Sequence, residues 1–547
     1  MKNIKEKIQK ISAALESYKT PFWALWQWAA QFSASDSPMR QTSTTGQEIQ
    51  NPSDTLDEEC FDPAIKSMIT TAKDYYGGLF FPAHEPWRVK PSFLTGSSIT
   101  PDVADECNRR IEAGLANPDS RWYEAREIFL DNYIRFGTGD LFAIETMEPS
   151  NPFIIRAMGL WGMSIGRDMQ EQYQVWNWTA QQICDEFGIE NIQNKDVLRA
   201  YDEYDTTRVF KVYHLVCRNN EYSKDAKTGK KARKYVGYWY LENTEIIGDP
   251  IYYPEQPHCI NRYAIRAGKV YGYSPLTNNK KSFQALEGSF FLTMSALGKM
   301  ADPRMGYFDL GQIGALELDG DQKFVPFNAG ILGSGQSPIF PIQDVGDISG
   351  MVQFIRPEIL NGLRAEYKLD AMAEYFAKGG NPRTATEVLA IQNIKNKMIA
   401  PQVKRFAEQL SPFRNRITMI VLRSIAEDND FDMDPEVRKS ILNNQPGLFA
   451  IEETSIVKRI IYSEKLEQFT SDLQILAGAA QIQPSIQPAI DLYDSLTDVL
   501  SYGIIKLRDR EQYEQKRDFA ENTAMQIGAA QGRAATAQAD QLEQEEQ

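Results

Sequence analysis

Residues 345–423 constrain the fold of this chain most, because they predict two long helices separated by a single break. Before the break, apolar residues recur at helical spacing and form one stripe, at Val352, Ile355, Ile359, Leu363 and Tyr367. The break is the segment Lys378-Gly379-Gly380-Asn381-Pro382-Arg383. Glycine and proline interrupt helices, so the sequence predicts two stiff rods joined by an exposed loop that carries two cations.

A new helix is predicted directly after this loop. Thr384 and Glu387 have the spacing of a capping box, in which a hydroxyl and a carboxylate satisfy free backbone N–H groups. Apolar residues then recur at helical spacing to a predicted end near Arg423, at Val388, Ile391, Ile394, Met398, Val403, Phe406, Leu410 and Ile417.

Another amphipathic helix precedes this passage, at residues 282–300. It places one apolar face at Phe283, Leu286, Phe290, Met294 and Leu297. Residues 302–347 follow it and are rich in Gly and Pro, with short apolar pieces at 315–318 and 323–325, which predicts a small β-containing insertion. The helices on either side are too apolar for an exposed hairpin, and no third helix in the sequence covers them. We therefore predict packing between copies of the chain.

The composition argues against several classes of protein. A net charge of −15 over 547 residues does not suit a general DNA-coating protein, but it allows a protein past which DNA slides. The cysteines form no CxxC pair and the three histidines are scattered; the adjacent pair His258-Cys259 is interpreted as two unrelated residues of a strand. A Walker motif and a recognisable nucleophile–histidine pair are absent. We predict a protein without enzymatic activity, cofactor or metal.

The N-terminal region predicts helices followed by mixed structure. Residues 1–32 predict a helix divided by Pro21, and residues 33–57 a mobile polar segment. Asp62 is predicted to cap a helix whose first turn contains Pro63. The run Phe136-Gly137-Thr138-Gly139-Asp140 is predicted to end a helix before a strand, because its order does not suit a phosphate-binding loop. No secretory signal or membrane-spanning run is visible, so the expectation is a soluble, initially cytoplasmic protein.

Strands dominate the next part of the pattern. Thr179 and Gln182 form a predicted capping box, and residues 210–217 and 235–241 alternate like strands. A lysine-rich hairpin loop at 224–234 joins these strands, either as a solvated tip or as a contact for DNA or an acidic partner. The last residues of the chain are rich in Ala, Gln and Glu and predict a helix that depends on neighbours in an assembly.

Four passages, in this order, resemble the portal (head-to-tail connector) proteins of short-tailed bacteriophages. They are Phe61-Asp62-Pro63 with the turn at 82–87, Ile165-Gly166-Arg167-Asp168 leading to Thr179-Ala180-Gln181-Gln182, Tyr271-Gly272-Tyr273-Ser274-Pro275, and Thr384-Ala385-Thr386-Glu387-Val388. Each motif is short, so the resemblance depends on the order and spacing of all four. It covers roughly residues 60–520.

The resemblance implies an α+β portal protein fold with a wing, a two-helix stem, an inserted clip and a helical C-terminal crown. Mapped onto this sequence, it implies an N-terminal helix at 1–32, a mobile segment at 33–57, a wing at 58–274, a first stem helix at 275–301, a clip at 302–347, a second stem helix at 348–376, a tunnel loop at 377–384, a long wing helix and return at 385–449, and a crown at 450–547.

The resemblance also implies a function and a set of partners. Connectors of this kind form dodecameric rings at one capsid vertex, and double-stranded DNA passes through them without sequence recognition. The implied partners are other copies of the chain, the terminase, the tail adaptor protein, and the major capsid and scaffold proteins, with no membrane. The implied location is the virion, after assembly in the host cytoplasm.

The same mapping predicts the site residues. The tunnel loop Lys378-Gly379-Gly380-Asn381-Pro382-Arg383 projects into the channel and touches the DNA backbone, and Arg304 and Lys323 are further channel cations. Partners dock on the clip, at Ile313, Leu316, Phe324, Phe327, Gln336, Ser337, Ile339 and Phe340. The alternative is another virion structural protein, such as a tail adaptor or an internal core protein, although adaptors are usually shorter and lack two long helices around an insertion.

Overall fold

The computed structural model describes residues 2–33, 62–81, 87–92, 98–146, 148, 151–223, 229–241, 245–301, 305–309, 324–328, 339–341, 348–369, 385–428, 431–445 and 447–453. The chain divides into two compact units, residues 1–391 with 402–453 and residues 392–401 with 454–547. Only the helical stretch 392–401 of the second unit is described. The first unit mixes helices with sheets, which agrees with the predicted α+β class.

The helices lie along the whole described part of the chain. In chain order they are α1 (Lys2–Phe32), α2 (Pro63–Phe80), α3 (Pro101–Ala116), α4 (Trp122–Arg135), α5 (Ala180–Phe187), α6 (Lys195–Asp202), α7 (Pro275–Asn278), α8 (Lys280–Ala301), α9 (Ile348–Glu366), α10 (Ala385–Glu427) and α11 (Pro435–Leu442). The predicted helix at 282–300 corresponds to α8, and the one predicted to end near Arg423 corresponds to α10.

The strands are short and mostly antiparallel. They are β1 (Trp87–Pro91), β2 (Thr138–Glu145), β3 (Phe153–Arg156), β4 (Met163–Ile165), β5 (Gln172–Thr179), β6 (Val209–Arg218), β7 (Tyr235–Leu241), β8 (Glu245–Tyr253), β9 (His258–Arg262), β10 (Met305–Asp309), β11 (Phe324–Asn328), β12 (Ile339–Pro341) and β13 (Phe449–Glu453).

The central feature is a five-stranded meander in the order β4-β5-β6-β7-β8. Its register sets Gln174 beside His214 and His214 beside Trp239. A second sheet has the order β3-β2-β9, and a two-stranded sheet pairs β1 with β13, which brings Trp87 opposite Glu453. The β1–β13 pairing joins distant parts of the sequence, and nothing in the local pattern of either strand indicates it.

Helix α1 covers the outer face of the five-stranded sheet. Ile8 and Leu15 are buried against Tyr173, Leu215 and Tyr240. The prediction that Pro21 divides this helix is wrong, because α1 is continuous from Lys2 to Phe32. Proline removes the hydrogen bond to the carbonyl four residues earlier. Pro21 and that residue, Ser17, are both exposed, so water can satisfy the carbonyl while the buried side packs on both sides of the proline.

Three local predictions are confirmed. The Asp62 carboxylate accepts a hydrogen bond from the Ala64 N–H at 3.0 Å, with Pro63 in the first turn of α2. Thr179 and Gln182 form the reciprocal hydrogen bonds of a capping box at the start of α5. Gly137 ends α4 with a φ of 86°, and a Cβ there would lie 2.4 Å from the backbone nitrogen of Ser274, so only glycine fits.

A layer of buried polar side chains lies between the five-stranded sheet and the β3-β2-β9 sheet. The Asp140 carboxylate on β2 is 3.0 Å from His258 Nδ1 and accepts a hydrogen bond from Gln174 Nε2 at 2.8 Å. The ring of His214 stacks on Trp239, with the centroids 4.0 Å apart, and lies 5.8 Å from the His258 ring. Two of the three histidines that are scattered in the sequence, His214 and His258, therefore meet in space, although no metal-binding group of three or more His, Cys, Asp or Glu occurs among the described residues.

Burial lowers the pKa of His214 well below its usual value, with further contributions from His258 and Arg156. Its ring nitrogens have no hydrogen-bond partner among the described side chains and backbone. His214 is therefore neutral in the folded chain, whereas in the unfolded chain it gains a proton below about pH 6.5. Stability is then fully present above that pH and is lost as the pH falls below it.

We predict that the free energy of unfolding falls by about 1 kcal/mol between about pH 6.5 and 5.5 through this one histidine. The His214→Phe variant keeps an aromatic ring against Trp239 and should lose that part of the slope. Urea unfolding between pH 8 and 5.5, with the wild type as reference, measures the difference. Equal slopes in the two chains would show that His214 does not carry the acid sensitivity.

Candidate functional site

The candidate site is built from two helices and the strands between them. Helices α8 and α9 are here called the helix pair, and strands β10, β11 and β12 are called the β insertion. Strand β10 pairs in parallel with β11, which sets Met305 opposite Phe324. It pairs antiparallel with β12, which sets Tyr307 opposite Ile339. The predicted β-containing insertion is therefore a mixed three-stranded sheet. The predicted apolar piece at 323–325 overlaps the start of β11, and the piece at 315–318 lies outside the described residues.

A charged junction ties the helix pair to the rest of the first unit. Asp62, at the start of α2, is completely buried and accepts a hydrogen bond from Arg356 Nη2 on α9 at 2.8 Å. The backbone N–H of Asp62 donates to Glu287 Oε2 on α8 at 3.1 Å. The Arg356 guanidinium also lies over the ring of Phe290, 4.9 Å from its centroid. The carboxylate and the backbone N–H of this one residue therefore link three helices.

Buried tyrosines hold the end of the helix pair that lies nearest the sheets. The Tyr76 hydroxyl is 3.1 Å from the Tyr263 hydroxyl and 3.3 Å from the Tyr367 carbonyl oxygen, to which it donates. The Tyr367 hydroxyl donates to the Ile134 carbonyl at 3.4 Å. Burial raises the pKa of Tyr76, Tyr263 and Tyr367 far above the usual value, so these phenols remain neutral donors.

The apolar face of α8 changes character along the helix. Phe283 and Leu286 are completely buried within the chain. Further along this face, Met294 and Leu297 are each 53% exposed, and Leu292, on the opposite side of the helix, is 61% exposed. The predicted stripe is thus covered by the chain itself only in its first part. An exposed run of large apolar side chains on one helix marks an interaction surface.

The structure places the predicted site residues unevenly. Phe324 and Phe327 lie on β11, and Ile339 and Phe340 lie on β12. The remaining predicted residues lie outside the described part of the chain: Ile313, Leu316, Gln336, Ser337, Arg304, Lys323, and the loop residues Lys378, Gly379, Gly380, Asn381, Pro382 and Arg383.

Helix α9 ends earlier than the sequence pattern indicates. The predicted end is residue 376, but the last helical residue is Glu366. Lys368 adopts a left-handed conformation with φ of 57°, and the Leu369 N–H donates to the Arg364 carbonyl at 2.9 Å. A backbone of this form closes the last turn of a helix. The apolar stripe to Tyr367 could not reveal this end, because it continues up to the turn.

Sequence analysis missed the residues that fix the site. Asp62 was recognised as a helix cap but not as the partner of Arg356, which lies 294 positions away. The available signal was an arginine within the apolar stripe of α9, directly before Pro357. Such a charge on a buried face requires a partner of opposite charge. The tyrosine contacts gave no comparable signal.

The sequence matches the family described as bacteriophage head to tail connecting protein over residues 5–501. The chain therefore belongs to that family, and its role is that of a connector, a structural component of the virion. No curated protein matches the chain.

Among solved structures, the chain is similar to one from the "Virion of native gene transfer agent (GTA) particle". The sequence identity is 12%, the alignment covers 82% of this chain and 91% of the other, and the TM-score is 0.33. Within the described ranges, no helix is both long and apolar enough to cross a bilayer.

We predict that Arg356→Gln lowers the free energy of unfolding by about 1–3 kcal/mol, because the buried Asp62 carboxylate loses a charged hydrogen-bond donor. Glu358→Gln is the matched control, since Glu358 is exposed on the same helix. Denaturant unfolding followed by tryptophan fluorescence compares the three chains. An unfolding midpoint for Arg356→Gln that equals the control would contradict the role given to this junction.

Proposed function

We propose that the chain is the portal protein of a short-tailed phage. Twelve copies form a ring at one capsid vertex, and the ring encloses the channel through which the terminase packages the genome and through which the genome is later ejected. The observation that supports the ring most directly is the exposed apolar part of α8, at Leu292, Met294 and Leu297. A connector subunit with such a helix gains stability when a neighbouring copy covers it.

The proposed parts of the subunit follow from the helix pair. The wing comprises residues 58–274 with the long helix and return at 385–449, and the N-terminal helix and the segment at 33–57 precede it. The stem consists of 275–301 and 348–376, which contain α8 and α9, and the clip at 302–347 contains the β insertion. The tunnel loop is 377–384 and the crown is 450–547.

The charge of the chain bears on how DNA would pass. Each copy carries a net charge of −15, so a ring of such copies repels a duplex except where cations are placed. We assign that role to Lys378 and Arg383 in the tunnel loop, with Arg304 and Lys323 in the clip. Non-specific attraction to phosphates at a few positions guides DNA, whereas attraction along the whole channel would hold it back.

The clip is the proposed docking surface for the terminase and later for the tail adaptor. Three short strands cannot bury a core by themselves, so neighbouring clips or a partner must cover them. We assign the neighbouring-copy contacts to the apolar residues, with Gln336 and Ser337 at the outer loop for exchangeable partners. We assign the contacts with the major capsid and scaffold proteins to the wing.

Negative-stain electron microscopy and native mass measurement of the purified chain test the ring. We expect the wild type to form closed rings with a central hole, and the double variant Leu292→Glu with Leu297→Glu to remain monomeric. Each buried, unpaired carboxylate costs about 3 kcal/mol or more per contact.

Gln284→Glu, on an exposed position of the same helix, is the control and should assemble normally. A wild-type chain that stays monomeric at high concentration in several salt conditions would count against the portal and favour a tail adaptor or an internal core protein.

The tunnel loop can be tested separately from the ring. Deleting residues 379–382 should leave the rings intact but reduce packaged or retained DNA, because Lys378 and Arg383 lose the glycine-containing segment that joins them. Asn381→Ala keeps both charges and most of the loop, and it should package normally. Packaged DNA is quantified in particles assembled with each variant. Normal packaging by the deletion variant would remove the loop from the mechanism.

A further inference from the structure

A groove lies between α4 and α5, over the ends of β3 and β5. Its cavity volume is about 290 Å³. Ile155 and Arg156 of β3 and the tryptophans Trp176 and Trp178 of β5 line its interior. The groove thus extends from the β3-β2-β9 sheet to the five-stranded sheet, and two tryptophan rings line it.

The interior of the groove is rich in hydrogen-bond donors. Arg156 Nη2 donates to Glu186 at 3.1 Å, and the guanidinium lies 5.4 Å from the centroid of the Trp178 ring. Arg156 Nε, Arg156 Nη1 and Trp176 Nε1 are buried and have no acceptor among the described residues. Buried donors of this kind require an acceptor.

The rim of the groove has the opposite character. Glu124, Asp185 and Glu186 are exposed there, beside a single exposed cation, Arg121. An anion would satisfy the inner donors but would meet three carboxylates on the way in. A lone cation would suit the rim but leave the donors unsatisfied. A basic peptide segment suits both, because its carbonyl oxygens accept from the donors and its lysines face the carboxylates.

This chain displays a segment of that kind on its own surface. Residues 229–234, here called the basic turn, expose Lys230, Lys231 and Lys234. The turn is held in place, since the Ala232 N–H donates to the Gly229 carbonyl at 3.1 Å and Asn219 Nδ2 donates to the Lys230 carbonyl at 2.9 Å. It is therefore presented in a defined shape.

The groove and the basic turn lie at opposite ends of β6. At one end Trp178 pairs with Phe210, and at the other end Arg218 pairs with Tyr235, next to the turn. Ten residues of strand separate the two ends by about 30 Å. A chain cannot place its own turn in its own groove, but two different complementary surfaces on opposite sides of a subunit are what a head-to-tail ring uses.

We propose that the basic turn of one copy docks in the groove of the next copy, with lysines against Glu124 and Asp185. Backbone carbonyls of the turn, each of which has a second lone pair besides the one used within its own chain, then accept from Arg156 and Trp176. The proposal rests on the proposed ring and adds a contact between wings to the contact between stems. It gives each subunit two different faces, so that the ring has a direction.

Disulfide cross-linking tests this contact. A chain with Lys231→Cys and Asp185→Cys, oxidised as an assembled ring, should give a ladder of covalent oligomers on a non-reducing gel. Either single substitution is the control and should give none, and the distance between the two sites excludes a bond within one chain. Intact rings without the ladder would overturn the proposal and leave the ring standing, whereas absence of rings in the wild type would overturn the ring itself.

Charge reversal provides an independent measurement. Lys230→Glu with Lys231→Glu, or Glu124→Lys with Asp185→Lys, should each raise the concentration at which rings dissociate at least tenfold. Combining both pairs in one chain should restore most of the loss. If the combined variant instead shows the sum of the two losses in ring stability, the neighbouring turn is not the occupant of the groove. The same conclusion follows if Asp185→Cys in assembled particles cross-links to a different virion protein.

Discussion

The buried carboxylate of Asp62 is the constraint on which the arrangement of the helices depends. A carboxylate with no exposed surface is tolerated only when charged or polar donors compensate for lost hydration. Arg356 supplies the charge from α9, and the first turn of α2 supplies one backbone donor, the N–H of Ala64. Because Glu287 on α8 binds the N–H of the same residue, any shift of the helix pair relative to α2 would break these contacts together.

The long helix α10 is fixed by a second set of charged contacts, in which the arginines are buried. Arg423 donates to both carboxylate oxygens of Glu145, at 2.7 and 2.8 Å, and Arg416 Nε donates to the Ala143 carbonyl at 2.9 Å. Burial raises the pKa of Glu255 and lowers the pKa of Arg416, while each stabilises the charge of the other. Apolar contacts alone allow a helix to slide or rotate, whereas a bidentate arginine accepts one register.

Features that depend on neighbouring residues could be predicted from the sequence, whereas contacts between distant segments could not. The Asp62 cap, the capping box of α5 and the glycine turn at Gly137 were predictable, because each depends on residues within one turn of chain. The position of α8 followed from its apolar period. The β1–β13 pairing, the meeting of His214 with His258 and the Arg356 contact were not predictable, since they depend on which distant segments the fold brings together.

The apolar face of α8 also shows what a local pattern can and cannot predict. Periodicity correctly identified an apolar face on α8 but treated it as uniform, and Leu297 is exposed although it shares that face with the buried Leu286. A hydrophobic pattern reports that a face must be covered and does not report by what. In this chain the first part of the face is covered by the subunit itself, so only the remaining part is left for assembly.

Because the subunit covers only the first part of this face, its parts differ in how they become stable. The part around Asp62 and the tyrosines has its own buried core, so it can be stable in a single chain. The outer part of α8, in contrast, leaves large apolar side chains exposed in one copy. The stability of that part then depends on subunit concentration, because association favours the folded form by mass action. In the proposed ring, the body of the subunit therefore folds first, and the outer part of α8 gains its full stability as the copies assemble.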